Sequence, residues 1–538
     1  MIYQPGMKIT TFHYYLPEPP EPKKFFGHFR SLGRIRIEPP AHIRCTYFDT
    51  FDWRLHSAGS LLVEEREPYA TRLRWQSLHD NALLGQVMTE APRFIHDLPT
   101  GVLRKGIEDL VDMRALLPMA QVDLRPVRAA VLNKRGKTVL RLVIQQGLAG
   151  PPGTSDQQLP HRLHIEPIKG YRKPLDQALR IAEKELTLAP ASHLLDEALD
   201  LAGREAEDYS GKLDVALQPE LPVGDALRRI LLHLLETMEC NLDGTRADLD
   251  SEFLHDFRVA VRRTRSLFSQ VKGVLPPTLL GRFRAEFKWL GQVTGPTRDL
   301  DVYLLKLPGY RDSLPAAMQA DLAPLQAYLE KHQRIEQRKL ARQLGTVRCG
   351  KLLQDWRTFL EQDFATENWP GKALLPVGEV ANRRIWKSYR RVLKEGAAID
   401  NDSPAAALHE LRIDCKKFRY LMEFFQSLYP PGKIRKQIKA LKSLQDNLGD
   451  FQDLEVQAEA LKGFGHQMQA ESSNLPSETF MAMGVLVDLL YQRQDIERSK
   501  FAERFARFAQ PDNRRVCKEL FNLVKPIKET TCENSGDL

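Results

Sequence analysis

The sequence predicts an α+β protein: an N-terminal antiparallel β-barrel, then an all-α helical bundle that is internally duplicated. Three observations carry this. Up to about Gly170, β-branched and apolar runs alternate with turn residues. From Leu221 onward apolar residues recur at helical spacing. Within that half, the stretch Leu254 to Val302 returns as Leu408 to Val456 without a gap: His409 follows His255, Lys442 follows Lys288, Gly449 follows Gly295 and Asp453 follows Asp299, each by 154 residues. The expected domains are 1–186 (barrel), 187–220 (linker), 221–509 (helical, repeat units about 221–344 and 375–509) and 510–538 (polar tail).

Composition bounds the class. A chain of 538 residues is long enough for two or three full cores. Charged residues make up 28%, mean hydropathy is −0.39, and no apolar run reaches the roughly 18 residues of a membrane span, so no membrane partner is expected. The start, MIYQPGMKITTFHYY, lacks a basic-then-apolar export pattern. Six scattered cysteines without a CxxC pair read as reduced thiols of a cytoplasmic protein. A net charge of +8 is compatible with an anionic partner.

In the N-terminal part, Ile43 to Tyr47, Ser60 to Glu65, Thr71 to Trp75 and Thr138 to Ile144 read as strands. Lys134-Arg135-Gly136-Lys137 reads as a hairpin turn. Ala149 to Pro160 is a loop by composition, Leu175 to Leu186 has helical spacing, and Leu186 to Pro222 mixes acids and prolines, as a linker does. CTYFDTFDWRLHSAGSLLVEE (Cys45 to Glu65), LRPV (Leu124 to Val127) and LHIEPIKGY (Leu163 to Tyr171) resemble segments of the CYTH family, the triphosphate-tunnel barrel. That resemblance implies a tunnel in which first-strand glutamates and a lysine hold a divalent metal and a triphosphate. This sequence departs there. Ile9, Thr11 and His13 stand where the glutamates and lysine are expected, Leu62 and Glu64 where tunnel arginines are expected, and His164 beside Glu166 on the late strand. Arg74 and Arg125 remain as basic candidates. A hard cation needs oxygen ligands, so the expectation is a degenerate barrel without a metal site or catalytic residue. Magnesium or manganese is implied only if this domain retains activity.

In the helical half, Asp225 to Met238, Ser251 to Val271, Leu280 to Val293, Leu322 to Leu344, Val380 to Lys394, Ala405 to Leu428, Arg435 to Leu448 and Thr479 to Ala509 carry helical periodicity. Pro276-Pro277 and Pro430-Pro431 follow the two equivalent helices, as prolines do at helix ends. About four helices per copy are expected, in paired bundles joined around Gly345 to Pro376.

The helix that opens each copy has two faces. At 100° per residue, His255, Arg258, Arg262 and Arg265 fall within roughly an 80° sector, with Phe257, Val261, Thr264 and Phe268 opposite. The second copy sets His409, Arg412, Lys416 and Arg419 against Leu411, Cys415, Phe418 and Met422. Arg263 and Lys417 widen the basic side. A single stripe of this kind is usually a solvated surface. Here like charge sits beside like charge in both copies, with no acid among the stacked cations, although such neighbours repel by a few tenths of a kcal/mol. A polyanion would offset that repulsion.

His255-Asp256-Phe257-Arg258-Val259, Arg262-Arg263-Thr264-Arg265, Trp289-Leu290-Gly291 and Arg298-Asp299-Leu300-Asp301-Val302, repeated more loosely 154 residues on, resemble the CHAD family, a helical duplication found beside CYTH domains. The resemblance implies binding of inorganic polyphosphate and, in bacteria, association with polyphosphate granules. Carried onto this chain, it implicates His255, Arg258, Arg262, Arg263, Arg265, Lys288 and Arg298, and in the second copy His409, Arg412, Lys416, Lys417, Arg419 and Lys442.

Two further readings stand beside this one. A triphosphatase or polyphosphatase would use the helical half to feed the barrel; the missing glutamates count against it. A general polyanion or nucleic-acid binder would offer several aromatics for base stacking, and the basic faces offer only Tyr420. A metal centre built from His255-Asp256 with Asp299, Asp301, Asp453 and Glu455 is disfavoured, because arginines one and two turns on repel a cation; those acids read as caps or as groups orienting the arginines.

Overall fold

The computed structural model describes residues 11–522, except 18, 80–81, 155, 363–369 and 473. Ile9, part of the first-strand expectation, lies outside the described residues. The chain divides into two units at Gly211 and Lys212.

The first unit is an antiparallel sheet curled into a half-barrel. Its strands are β1 (Phe12–Tyr15), β2 (Arg34–Ile37), β3 (Ile43–Asp49), β4 (Ser60–Glu67), β5 (Ala70–Ser77), β6 (Leu83–Val87), β7 (Leu117–Leu132), β8 (Thr138–Gly150), β9 (Gln157–Gln158) and β10 (Arg162–Pro167). The path runs β1-β10-β8-β7-β3-β4-β5-β6, with β2 on β7 and β9 on β8. The predicted turn joins β7 to β8. The Asn133 side chain accepts from the Arg135 and Lys137 amides, and Gly136 takes φ +72, where a side chain would be strained. The outer edge of β1 is covered by the chain itself, Tyr15 N donating to Ala189 O and Ala191 N to His13 O, both at 2.9 Å.

Five short helices accompany the sheet: α1 (Pro22–Phe26), α2 (Arg54–Ser57), α3 (Val102–Val111), α4 (Arg172–Arg180) and α5 (Leu194–Leu201). Strand alternation splits the packing. Tyr14, Leu142, Leu163 and Ile165 bury against Ala178 and Ile181 at the end of α4. On the opposite face, Ile43, Cys45, Tyr47 and Val122 bury against Leu195, Ala198 and Leu199 of α5. Thus part of the stretch expected as linker, 187–220, is core: three apolar residues at helical spacing outweigh the acids between them. The remainder, Leu213 and Leu217, packs into the helical unit.

That alternation also corrects the face assignment on β4. Val63 and Glu65 share a face with Cys45 and Tyr47, whereas Leu62 packs with Leu73 and Ile107 on the other side and Glu64 accepts from Ala91 N. The first five residues of β4 are all buried, so the sequence shows no polar alternation there to fix the register. Arg125 likewise lies one residue out of phase with Leu124, which packs with α5.

The second unit contains α6 (Val223–Arg246), α7 (Ser251–Gln270), α8 (Pro277–Val293), α9 (Gly295–Ser313), α10 (Ala323–Leu344), α11 (Val347–Glu361), α12 (Val377–Ala397), α13 (Ala405–Phe424), α14 (Pro431–Glu471), α15 (Ser477–Phe508) and α16 (Pro511–Phe521). The starts of α6, α7, α8 and α10 recur at α12, α13, α14 and α15 after 154 residues each. The copies differ at one junction. Pro296 separates α8 from α9, while Asp450 at the same place lets α14 run through, since proline lacks the N–H that a continuous helix needs.

Helices α9, α11 and α16 were not expected. α11 lies in the presumed connection; Thr346 caps it and it buries Cys349, Leu352 and Trp356. Trp356 packs on Phe268, Phe283 and Phe287, with ring centroids 4.4–5.6 Å apart. α16 lies in the presumed tail, held by buried Cys517 and Phe521. The repeats are not separate bundles. One core mixes α6, α7, α8 and α11 with α12 and α13, and another mixes α9 and α10 with α14 and α15. The two Leu-Pro-Val-Gly segments pair with each other: Val223 N donates to Leu375 O and Val377 N to Leu221 O, both at 2.8 Å. Reciprocal bonds between equivalent residues mark a local two-fold relation. Among the described residues no helix is long and apolar enough to cross a membrane.

Candidate functional site

The site is built on α7 and α13. Each turns a stripe of Phe, Leu, Val or Cys inward: Phe257, Val261 and Phe268 in α7, and Leu411, Cys415 and Phe418 in α13 are buried. Asp250 caps α7, accepting from Glu252 N and Phe253 N at 2.8 and 3.2 Å. The two helices are tied by an ion pair, Arg263 to Glu423 at 2.9 Å. Glu423 also pairs with Arg419 at 3.3 Å, and Lys417 pairs with Asp414 at 2.8 Å. Arg263 and Lys417, read from the sequence as widening the basic side, and Arg419, read as part of the second stripe, are therefore each engaged by a carboxylate. For Arg263 the acid comes from the neighbouring helix, which the periodicity of its own helix does not show; for Lys417 and Arg419 it comes from the same helix, at three and four residues.

The remaining cations converge. Lys416 is pushed down to about 8 by burial, with Arg412 and Arg262 adding to the shift. Arg258 is held below the usual arginine range by burial, with Arg262 and Arg298 adding to it and Asp299 opposing it. Arg298, Arg258, Arg262, Lys416 and Arg412 thus form a run of mutually repelling charges crossing from one copy to the other. Arg262 is exposed. Among the described residues neither Arg262 nor Lys416 makes an ion pair. Arg258 donates to Thr294 Oγ1 at 3.0 Å, and Arg412 donates to Asp453 Oδ1 at 2.8 Å.

The histidines meet equivalent positions of the two copies with opposite hydrogen-bond roles. His255 Nδ1 lies 2.9 Å from an Arg298 Nη, and His409 Nδ1 lies 2.8 Å from Gln452 Oε1, both at a separation of 43 residues. An arginine only donates, so Nδ1 of His255 accepts and its proton sits on Nε2. Arg298 also donates to Ser251 O at 3.0 Å and faces Glu252. Arg265 is exposed, its guanidinium lying over Gly291, where an added Cβ would stand 2.7 Å away. Lys288 and Lys442 are exposed. Lys442 lines a cleft between α14 and α15 with Lys439, Asp446, Asp450 and Arg504. Trp289 of the WLG motif sits under Arg348, 4.2 Å from its ring centroid. Tyr420 is buried, with Arg419 over its ring.

Asp453, read from the sequence as one of the acids that orient the arginines or cap helices, pairs with Arg412. It lines a further cleft with Lys306 and Arg493 of α9 and α15, and no spacing rule links those helices.

In the first unit, His13 and His164 meet edge to face at 4.3 Å. Burial pushes His13 down to about 4 and His164 well below the usual range. Beside them, Arg162 pairs with Glu197 of α5 at 2.5 Å, and the Tyr15 hydroxyl donates to the same carboxylate. Two buried imidazoles and an arginine-bound carboxylate do not offer the oxygen shell that a magnesium ion takes, so the residues present do not fit the metal implied by the tunnel family. Arg74 is answered by Glu65 at 2.5 Å.

No match was found among curated proteins. Among solved structures, a CHAD domain from the plant Ricinus communis is 25% identical and covers 54% of this chain and 96% of its own, at a TM-score of 0.45. A putative adenylate cyclase from Bacillus halodurans is 11% identical, covering 35% of this chain and 95% of its own, at 0.25. A putative adenylyl cyclase from Hippeastrum, whose description reports a dominant triphosphatase activity, is 16% identical, covering 35% and 91%, at 0.24. At these TM-scores no residue role is transferred. The family model of the CHAD domain matches residues 229–462, the span that holds α7, α13 and their cations; the helical half of this chain carries a CHAD domain.

Proposed function

We propose that the helical unit binds inorganic polyphosphate in a basic groove shared by its two copies. One observation carries this reading above the others. Arg262 and Lys416, equivalent residues of the two copies, stand close enough to oppose each other's charge, flanked by Arg258 and Arg412 and without an ion pair of their own among the described residues. Keeping such charges together costs free energy in the absence of an anion, and phosphate oxygens offset that cost. Arginines add planar two-point bonding to phosphate, and lysine adds a point charge.

Symmetry favours this ligand over nucleic acid. A polyphosphate chain reads the same from either end and can lie along a two-fold related pair of helices. A nucleic-acid strand has direction, and its bases need aromatic platforms; Tyr420 is buried and unavailable for stacking. By the same reading the protein acts at polyphosphate granules in the cytoplasm, and its role is that of a binder.

Competition tests it. Unlabelled polyphosphate is expected to displace a polyphosphate probe far better than RNA or DNA at equal charge. Equal displacement would reduce the site to a general polyanion surface.

A further inference from the structure

We propose that Asp299 and Asp453, equivalent carboxylates of the two copies, are built-in counter-ions of the cationic run, displaced when the phosphate chain enters. The inference rests on the polyphosphate reading above and adds to it a threshold: an anion must carry enough charge to outcompete two tethered carboxylates.

The acids around the site fall into two groups. Asp414 and Glu423 have side chains only 5% and 18% exposed and tie helices together, Asp414 through Arg391 and Glu423 through Arg263. Asp453 is different. Its side chain is 50% exposed, yet one oxygen lies 2.8 Å from Arg412, whose side chain is 18% exposed. It also attracts Lys416. Asp299 occupies the same place in the first copy; burial raises its carboxyl above the usual range, and the charges of Arg258 and Arg298 oppose that shift without cancelling it. Asp453 thus pairs with the arginine that its own copy contributes to the run, and Asp299, its equivalent, attracts the corresponding Arg258.

An ion pair with one half-exposed partner is weaker than a buried one, because water solvates the carboxylate once it turns away and a phosphate oxygen can take its place on the arginine. Asp453 can therefore swing into solvent at little cost when a stronger anion arrives. A tethered carboxylate nevertheless acts at high local concentration. Inorganic phosphate meets it one to one and loses. A long chain touches many cations at once and wins, even where it leaves one carboxylate in place. Salt response separates this from a positioning role. A displaced carboxylate must take up a mobile cation, which offsets part of the counterion release that accompanies phosphate binding.

The test titrates tripolyphosphate and long-chain polyphosphate into the full chain and into Asp453→Asn, Asp299→Asn and Asp453→Ala, the last because asparagine still accepts from Arg412. Each variant is expected to bind tripolyphosphate about fivefold more tightly and the long chain with a smaller gain. The salt dependence should steepen by about one unit in log–log slope per carboxylate removed. Folded variants that bind tripolyphosphate no better, or worse, with an unchanged slope would overturn the proposal and make the two acids positioning groups for the arginines. Wild-type protein that binds no long-chain polyphosphate would bring down the functional reading and this inference together. Wild type that binds, with variants that gain nothing, removes this inference alone.

Discussion

At the scale of single residues, Lys416 decides the pH behaviour of the site. Burial, then Arg412 and Arg262, push it down to about 8. A bound phosphate favours the ammonium and raises that value again. Affinity for polyphosphate should therefore fall as pH climbs above about 8, by at most about one log unit per pH unit. Stability has the opposite sign. Above pH 8 the unfolded chain still holds the lysine proton that the folded chain has released, so this residue's contribution to stability rises with pH until the ordinary lysine value is reached. Titrations at several pH values check the first statement; Lys416→Arg, which stays charged, should flatten the curve. A second residue-scale expectation concerns the half-barrel. With Thr11 at an expected glutamate position, His13 at that of the lysine and His164 beside Glu166, triphosphate and ATP should not be hydrolysed in magnesium or manganese. Turnover abolished by Glu166→Ala would contradict this.

At the scale of elements, α11 shows what holds the helical unit together. Trp356 is buried among three phenylalanines, and Trp356→Ala should cost about 3–5 kcal/mol in denaturant unfolding. A loss below about 1 kcal/mol would mean that the helix is peripheral. This is also where the sequence is least legible. The paired helices α7 and α13 could be read because apolar and basic positions repeat at 3.6 residues and again at 154. α9 was hidden by Pro296 and Pro308, and α11 by the loop-like residues around Gly345. Strand β4 offered no polar alternation to fix its faces. The cations of the site could be listed from one helix at a time. Glu423 reaches Arg263, and Asp453 reaches Arg412, from another helix, so helix periodicity could not pair them; the same-helix partners of Arg419 and Lys417 lie at legible spacings of four and three residues.

At the scale of the whole molecule, duplication is what the proposed groove is built on. The reciprocal bonds between Leu221–Val223 and Leu375–Val377 fix the copies about a local two-fold, and shared cores keep α7 and α13 in register. If the run of cations acts as one surface, damage to either copy should cost nearly as much as damage to both. Arg258→Glu with Arg262→Glu, or Arg412→Glu with Lys416→Glu, should each weaken polyphosphate binding by about 100-fold, at roughly 1.5–3 kcal/mol per charged hydrogen bond. The most direct measurement is a polyphosphate titration of wild type and of the variant carrying all four glutamates, at two salt concentrations. Wild type should bind tightly and weaken steeply with salt, and the folded variant should bind at least about 100-fold more weakly at both concentrations. A folded variant with unchanged affinity would contradict the central claim that α7 and α13 hold the phosphate chain between them.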